Sequence, residues 1–402
     1  MVVSTAMAFL SGKGGSGKTT LALSVACLLS GCGIRVLLVD CDLSTNGATY
    51  FYESRLGNSR PLAFCDILDN RKYRDMKFLS ISPNYDFMPS VPQFSERYVA
   101  VDVNRKEDYR GSLEAFCVNV KAQYDVVLFD CQAGYTSLLR ALLPLMDVDL
   151  FVLEADGISA SAMRSLHLKI GDYLGHAKLY QVFNKATEEE YEIYSKIVGT
   201  FFTNIGTLLF DWKIRQAFSR TQVPDMENTG AKYGSDLCGI CKIIFTDEAI
   251  QKKLEAFSAK LSYNELSDER AELLDSLDAL VAKQTNSSRQ ELRRRMLRRI
   301  LVILFVILCL FAFWLLETSG RFLTDSSSSS DIAFAITAAL SSVLLASMWF
   351  LIKGEKNEDS QLVQQRRSLY ENRIRKIDTE LAQLARKMKF HDGYLDSDWI
   401  DL

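Results

Sequence analysis

Apolar positions along residues 1 to about 245 come in short, nearly unbroken runs: AMAFL (6–10), RVLLVD (35–40), DVVLFD (125–130), VDLFVLEA (148–155) and KLYQVFN (178–184). Runs of this length with little polar alternation suit strands buried on both faces. Helical stretches lie between them, as at residues 17–30 and 159–174. The alternation predicts an α/β fold, a doubly wound and mostly parallel sheet covered by helices. The opening MVVSTAMAFL lacks the charged start and cleavage site of a secretory signal and reads as a buried first strand.

The pattern changes near residue 247. Leu266, Leu273, Leu277 and Leu280 fall at helical spacing in a polar background, and Ser267, Asp268 and Glu269 suit a helix start. The segment RQELRRRMLRR (289–299) holds six arginines in eleven residues. Two runs then carry no charge, 300–316 and 332–352, and a membrane-crossing helix needs about 20 mostly apolar residues. They predict two transmembrane helices, the alternative being a pair of buried core helices. The polar linker between them, 317–331, has one arginine, whereas arginines precede the first run and Lys353 and Lys356 follow the second. This bias places both chain ends on the cytoplasmic side of the inner membrane. Beyond it, Val363, Tyr370, Ile374, Ile377, Leu381, Leu384 and Met388 form a coiled-coil-like seam interrupted at Arg367. The seam suits either an antiparallel stalk with the helix before the first span or an amphipathic helix packed on the α/β domain. The expected organisation is therefore 1–246 as the α/β domain and 247–299 as a stalk with a basic end. Residues 300–316, 317–331 and 332–352 form a hairpin, and 353–402 a helix with an acidic tail.

Composition adds limits. The chain has 402 residues and a formal charge of −3, so no overall basic field favours nucleic acid as a partner. Nine scattered cysteines, several inside apolar runs, favour reduced thiols over a disulfide framework.

The chemistry concentrates in three motifs. Gly12, Gly17, Lys18 and Thr19 fit G-x-x-x-x-G-K-[ST], between a strand and a helix. In such a loop Gly14, Gly15, Ser16, Gly17, Lys18, Thr19 and Thr20 wrap the phosphates of a nucleotide. Backbone N–H groups and the lysine neutralise phosphate oxygens, and the Thr19 hydroxyl ligates Mg²⁺. Asp40 and Asp42 end the strand of VLLVDCDLSTNGAT, where ligands bind in open α/β sheets. Asp130 ends the strand of YDVVLFDCQAG, as an Mg²⁺-holding aspartate does.

With the additional Lys13, the set KGGSGKTT, VDCD and FDCQAG resembles the deviant Walker A ATPases of the ParA/MinD group, within the SIMIBI class of P-loop proteins. The resemblance covers residues 1 to about 235, including DFMPSVPQ (86–93), QVFNKA (181–186) and IGTLLFDWKIRQAFSRTQVPDMEN (205–228). It implies ATP and Mg²⁺ as cofactors and a homodimer or higher oligomer. Lys13 would reach phosphate oxygens on the other subunit, Asp42 would orient the attacking water, Asp40 and Asp130 would sit near Mg²⁺, and Asn184 would contact the base. Thr187 stands where guanine-specific relatives carry aspartate, which favours adenine. Gln132 departs from the usual proline of the family. A permanent hairpin would also replace the reversible membrane helix of MinD-like members.

Cys238 and Cys241 form a C-x-x-C pair, readable as a shared metal site or as small core residues. The leading functional expectation is a membrane-anchored ATPase switch that dimerises on ATP and acts on a further protein partner or on its own hairpin. The alternatives are a bacterial-type tyrosine kinase and a non-hydrolysing, ATP-bound membrane scaffold.

Overall fold

The computed structural model describes residues 4–56, 61–69, 77–92, 109–198, 202–222, 226, 231–320 and 358–391. Two compact units are present, Met1–Leu266 with Leu381–Leu402, and Ser267–Glu380.

The first unit is built on eight strands. In chain order they are β1 (Thr5–Leu10), β2 (Val36–Asp40), β3 (Leu79–Ser82), β4 (Tyr85–Met88), β5 (Val126–Asp130), β6 (Val148–Leu153), β7 (Lys178–Ala186) and β8 (Thr203–Leu209). They form one sheet in the order β3-β4-β2-β5-β1-β6-β7-β8. Every pairing is parallel except β3 with β4, which closes one edge as an antiparallel hairpin. All residues of β2, β5 and β6 are buried, which explains their unbroken apolar character.

Helices cover both faces. One layer contains α1 (Lys18–Gly31), whose Leu21, Val25, Leu28 and Leu29 are buried against Val36, Leu38 and Leu128. The short helices α2 (Gly47–Phe51), α3 (Glu53–Leu56) and α4 (Phe64–Leu68) follow β2. On the opposite face, α4, α5 (Arg110–Lys121), α6 (Ser137–Leu142) and α7 (Gly157–Ile170) contribute Phe64, Phe116, Leu139 and Met163 to a second core. Next come α8 (Glu188–Val198), α9 (Trp212–Ser219) and α10 (Ala231–Ile244). Helix α10 joins the α1 layer through Leu237, Cys238, Ile240 and Cys241. At roughly 1.5–3 kcal/mol for each large apolar side chain taken from water, the two layers hold most of the unit's favourable burial.

The helix expected to start at Ser267 does not. Helix α11 runs without interruption from Glu248 to Gly320. It has no proline, and its only glycine is the last residue, so nothing forces a break. Ser267, Asp268 and Glu269 are ordinary helical positions within it.

In the second unit α11 meets α12 (Glu358–His391). Arg373 grips Glu269 with two hydrogen bonds of 2.7 Å, and Arg270 Nε donates to Asp378 Oδ1 at 2.6 Å. Ile377 is fully buried and Ile374 nearly so. Among the described residues no helix is long and apolar enough to cross a membrane. Residues 300–316 lie in α11, but the side chains at 308–310, 312–313 and 315–316 are outside the description, as is the whole of 332–352. Ile300, Leu301, Ile303, Leu304, Phe311 and Trp314 are each at least half exposed.

Candidate functional site: a phosphate loop at the carboxyl edge of the sheet

The site lies where β1, β2 and β5 end together. Strand β5 sits between β1 and β2 with Phe9 opposite Asp130 and Asp40 opposite Asp130. Parallel register therefore delivers the loop after β1 and the aspartates ending β2 and β5 to one edge.

The loop's shape depends on glycine at two points. Gly15 and Gly17 have φ of 87° and 83°, left-handed values that a side chain resists. Gly12 needs space instead: a Cβ there would come within 2.5 Å of the Ala162 carbonyl carbon in α7. Gly14 and Gly15 are exposed, whereas Ser16 is buried. Lys18, Thr19 and Thr20 open α1, so the helix directs its positive end at the cradle.

Lys18 is buried, and its Nζ donates to Asp130 Oδ1 at 3.0 Å. Burial alone would lower its pKa, but the Asp130 charge and hydrogen bond outweigh that and raise it. Asp130 is wholly buried, and its second oxygen, Oδ2, has no hydrogen-bond partner among the described residues. Beside it Asp40 is also wholly buried. It accepts from Asp42 N at 3.0 Å, Thr49 N at 2.8 Å and Thr49 Oγ1 at 2.7 Å. Burial and the neighbouring Asp130 charge hold its carboxyl well above the usual carboxylate range.

This pair passes a test for Mg²⁺. Two carboxylates repel one another, one oxygen is orphaned, and Thr19 lies at the start of α1. Such a cation takes one or two carboxylates and completes its shell with water and phosphate. Among the described residues no group of three or more His, Cys, Asp or Glu side chains could hold a metal ion. Any Mg²⁺ would thus depend on the nucleotide as well as on the protein.

Asp42 is held differently. Its Oδ1 accepts from Ser44 N, Ser44 Oγ and Thr45 N, and its Oδ2 from Thr45 Oγ1 at 2.6 Å. Burial would raise its pKa, but these bonds more than compensate and lower it. An acid held ionised in this way is a weak proton acceptor, better suited to orienting water than to abstracting its proton. Behind it, Asn46, Thr49 and Ser90 form a buried polar chain: Ser90 Oγ donates to Asn46 Oδ1 at 2.7 Å and lies 2.9 Å from Thr49 Oγ1. Ser90 belongs to the Pro-Ser turn after β4, and it ties that turn to the β2 loop.

Lys13 faces its own chain, with Nζ 2.9 Å from Glu154 Oε2 and 3.0 Å from Asp156 Oδ2. Hydrogen bonds to both acids raise its pKa. Asp156 also caps α7, accepting from Ser159 N at 2.7 Å. Asn184 lies at the site, but its Nδ2 donates to the loop carbonyl of Ser16 at 2.9 Å. Thr187 and Glu190 cap α8 reciprocally, so Thr187 has a structural role as well.

Glu154, Asp156 and Lys185 were not singled out from the sequence. The only available signal was acidic residues directly after a buried strand. Cys238 and Cys241 are not brought to the site. Both lie in α10, buried in the core, with Cys238 Sγ donating to Leu254 O, and burial raises both thiols.

Comparison with known proteins agrees with this geometry. A family model described as an AAA domain matches residues 4–173. The chain is similar to cell division protein PomZ of Myxococcus xanthus, 35% identical over 164 residues, covering 39% of this chain and 49% of that one. It is also similar to the chromosome-partitioning ATPase Soj of Treponema pallidum, 29% identical over 125 residues, covering 31% and 47%. The chain thus spans about half the length of the relatives it matches. Among solved structures it resembles a putative plasmid partition protein from Borrelia burgdorferi bound to AMPPNP. That match has a TM-score of 0.52 and 19% identity over 60% of this chain and 99% of the other. The septum site-determining protein MinD of Pyrococcus horikoshii, complexed with Mg-ADP, matches with a TM-score of 0.50 and 17% identity, over 62% and 98%. The matched family model lies within the first unit, and the chain shares its fold with these two solved structures.

Proposed function

We propose that this chain is an ATP-driven positioning or partitioning switch whose nucleotide domains pair face to face. The observation that supports it best is Lys13, a second loop cation held by Glu154 and Asp156. Released, it would supply charge to phosphate on a second copy, which couples hydrolysis to pairing. In each copy Lys18 neutralises phosphate, and the backbone from Gly14 to Thr20 cradles it. Thr19, Asp130 and Asp40 would hold Mg²⁺, which supplies charge neutralisation on the phosphates. Asp42 orients water, and Asn184, which donates to Ser16 O of the loop, would contact the base. The relatives' names motivate cargo or division-site positioning as the setting, with a further protein as partner.

We also propose that residues 300–316 and 332–352 anchor the chain in the inner membrane, with both ends cytoplasmic. Exposed apolar side chains at successive positions 300, 301, 303 and 304, directly after six arginines, motivate this reading. Copies fixed in one membrane would pair at raised effective concentration.

The deciding experiment measures ATPase rate against protein concentration for the full chain in nanodiscs. A rate per subunit that rises with concentration, and falls to background in Lys13→Ala, is expected. Full activity and full ATP-dependent pairing in Lys13→Ala would overturn the switch. Extraction of the full chain from membranes by alkaline carbonate would overturn the anchor.

A further inference from the structure

Lys185 has a left-handed backbone, with φ of 58°. A non-glycine residue accepts this at a cost of about 1–2 kcal/mol, so something must hold it there. Its side chain turns back over the phosphate loop. The ammonium donates to Gly15 O at 2.5 Å and lies 3.2 Å from Glu154 Oε1. The preceding residue does the same one step along the loop, Asn184 Nδ2 donating to Ser16 O at 2.9 Å. Contact is so close that a Cβ on Gly17 would overlap Asn184 Nδ2 and come within 3.1 Å of Lys185 Cε.

Two successive loop carbonyls are therefore gripped by two successive residues at the end of β7. In a trans peptide the C=O and the following N–H point in opposite directions, and no cis bond occurs among the described residues. Pulling Gly15 O and Ser16 O toward β7 turns the N–H groups of Ser16 and Gly17 the other way. The loop needs N–H groups aimed together to bind an anion.

We propose that Asn184 and Lys185 form a positioning clamp that sets the phosphate loop's N–H groups before nucleotide arrives, with Lys185 as the charged half. The proposal rests on the nucleotide-site reading above. Glu154 accepts from Lys185 on one oxygen and pairs with Lys13 through the other. The clamp and the second loop lysine thus share one carboxylate.

The test titrates a fluorescent ATP analogue with Mg²⁺ against the full chain and its variants, with melting of the nucleotide-free protein in parallel. Lys185→Met keeps the stem and removes the donors, and should bind about tenfold more weakly. Lys185→Arg should recover most of that loss. Lys185→Gly removes the donors and also relieves the left-handed backbone, so its melting temperature should hold or rise while its binding falls. Those opposite movements are the signature of positioning. Wild-type affinity in both Lys185→Met and Lys185→Gly would overturn the clamp and leave the nucleotide site standing. So would a parallel loss of melting temperature and binding in Lys185→Gly, which would make Lys185 structural only. No binding by the wild-type chain, equal to a Lys18→Ala control, would overturn the nucleotide site and the clamp with it.

Discussion

Lys13 is tied to Asp156 of its own chain, Nζ to Oδ2 at 3.0 Å, and Asp156 is in turn fixed by capping α7. With Glu154 it forms a latch on the one loop lysine that the proposed pairing sends to another copy. Each such partly exposed ion pair contributes roughly 0.2–1 kcal/mol, so the two together hold each copy back by roughly two- to thirtyfold.

That sets the first prediction. Glu154→Gln with Asp156→Asn keeps shape and cap while removing both charges. It should shift the midpoint of ATP-dependent dimerisation to a lower concentration, by roughly two- to thirtyfold for each copy released. Sedimentation velocity with a slowly hydrolysed ATP analogue measures it. An unchanged midpoint would mean that the two acids do not restrain Lys13.

The second prediction concerns Lys18 and Asp130. Both side chains are buried, so Lys18→Met leaves an uncompensated carboxylate, and breaking such a pair costs roughly 3–5 kcal/mol. The double variant Lys18→Met with Asp130→Asn should recover at least half of the lost melting temperature. Nucleotide binding should be absent from both, because phosphate loses its cation in each. Equal melting temperatures for the single and double variants would show that the pair carries no such coupling.

The first unit was largely readable because its central strands are buried on both faces. Val36–Asp40 and Val126–Asp130 cannot be anything but continuous apolar runs ending in a polar residue, and those ends are the site. Leu79–Ser82 was not read, since this short edge strand alternates half-buried and exposed positions and looks like a loop. The false helix start at Ser267 came from reading cap-type residues locally, although only a breaker would end a helix that tertiary packing already holds. The phosphate-loop residues follow from spacing, so Lys18 and Asp130 were legible and do meet. The partners of Lys13 and the grip of Lys185 were not, because strand register and a backbone turn bring them together rather than any motif.

The third prediction compares an ion pair joining α11 to α12 with a buried apolar side chain of α12. Arg373 and Glu269 are each about 40% exposed, so their bond contributes little despite good geometry. Ile377 is fully buried on the apolar seam of α12. Arg373→Ala should change stability by less than about 1 kcal/mol. Ile377→Asp should cost several times more, by loss of apolar burial and by burying a charge. Helical circular dichroism on heating compares them. Equal effects would mean that burial of Ile377 contributes no more to stability than the exposed ion pair.

The last prediction is a pH dependence far from the phosphates. Asp149, on β6, stands opposite Ala8 of β1 and Leu179 of β7. It is fully buried, and neither carboxylate oxygen has a hydrogen-bond partner among the described residues. Burial pushes its pKa up to about 8, against about 3.9 for an unfolded aspartate. Between those values the folded chain keeps a proton that the unfolded chain has released. Fewer protons are bound on unfolding, so stability falls as pH rises from about 4 to about 8, and levels off beyond. The slope contributed is at most roughly 1.4 kcal/mol per pH unit. Asp149→Asn has the same shape and no proton to lose. Its melting temperature should match the wild type near pH 4–5 and exceed it increasingly up to pH 8. Parallel melting curves for the two proteins across that range would mean that Asp149 is ionised in the fold, with a partner for its charge.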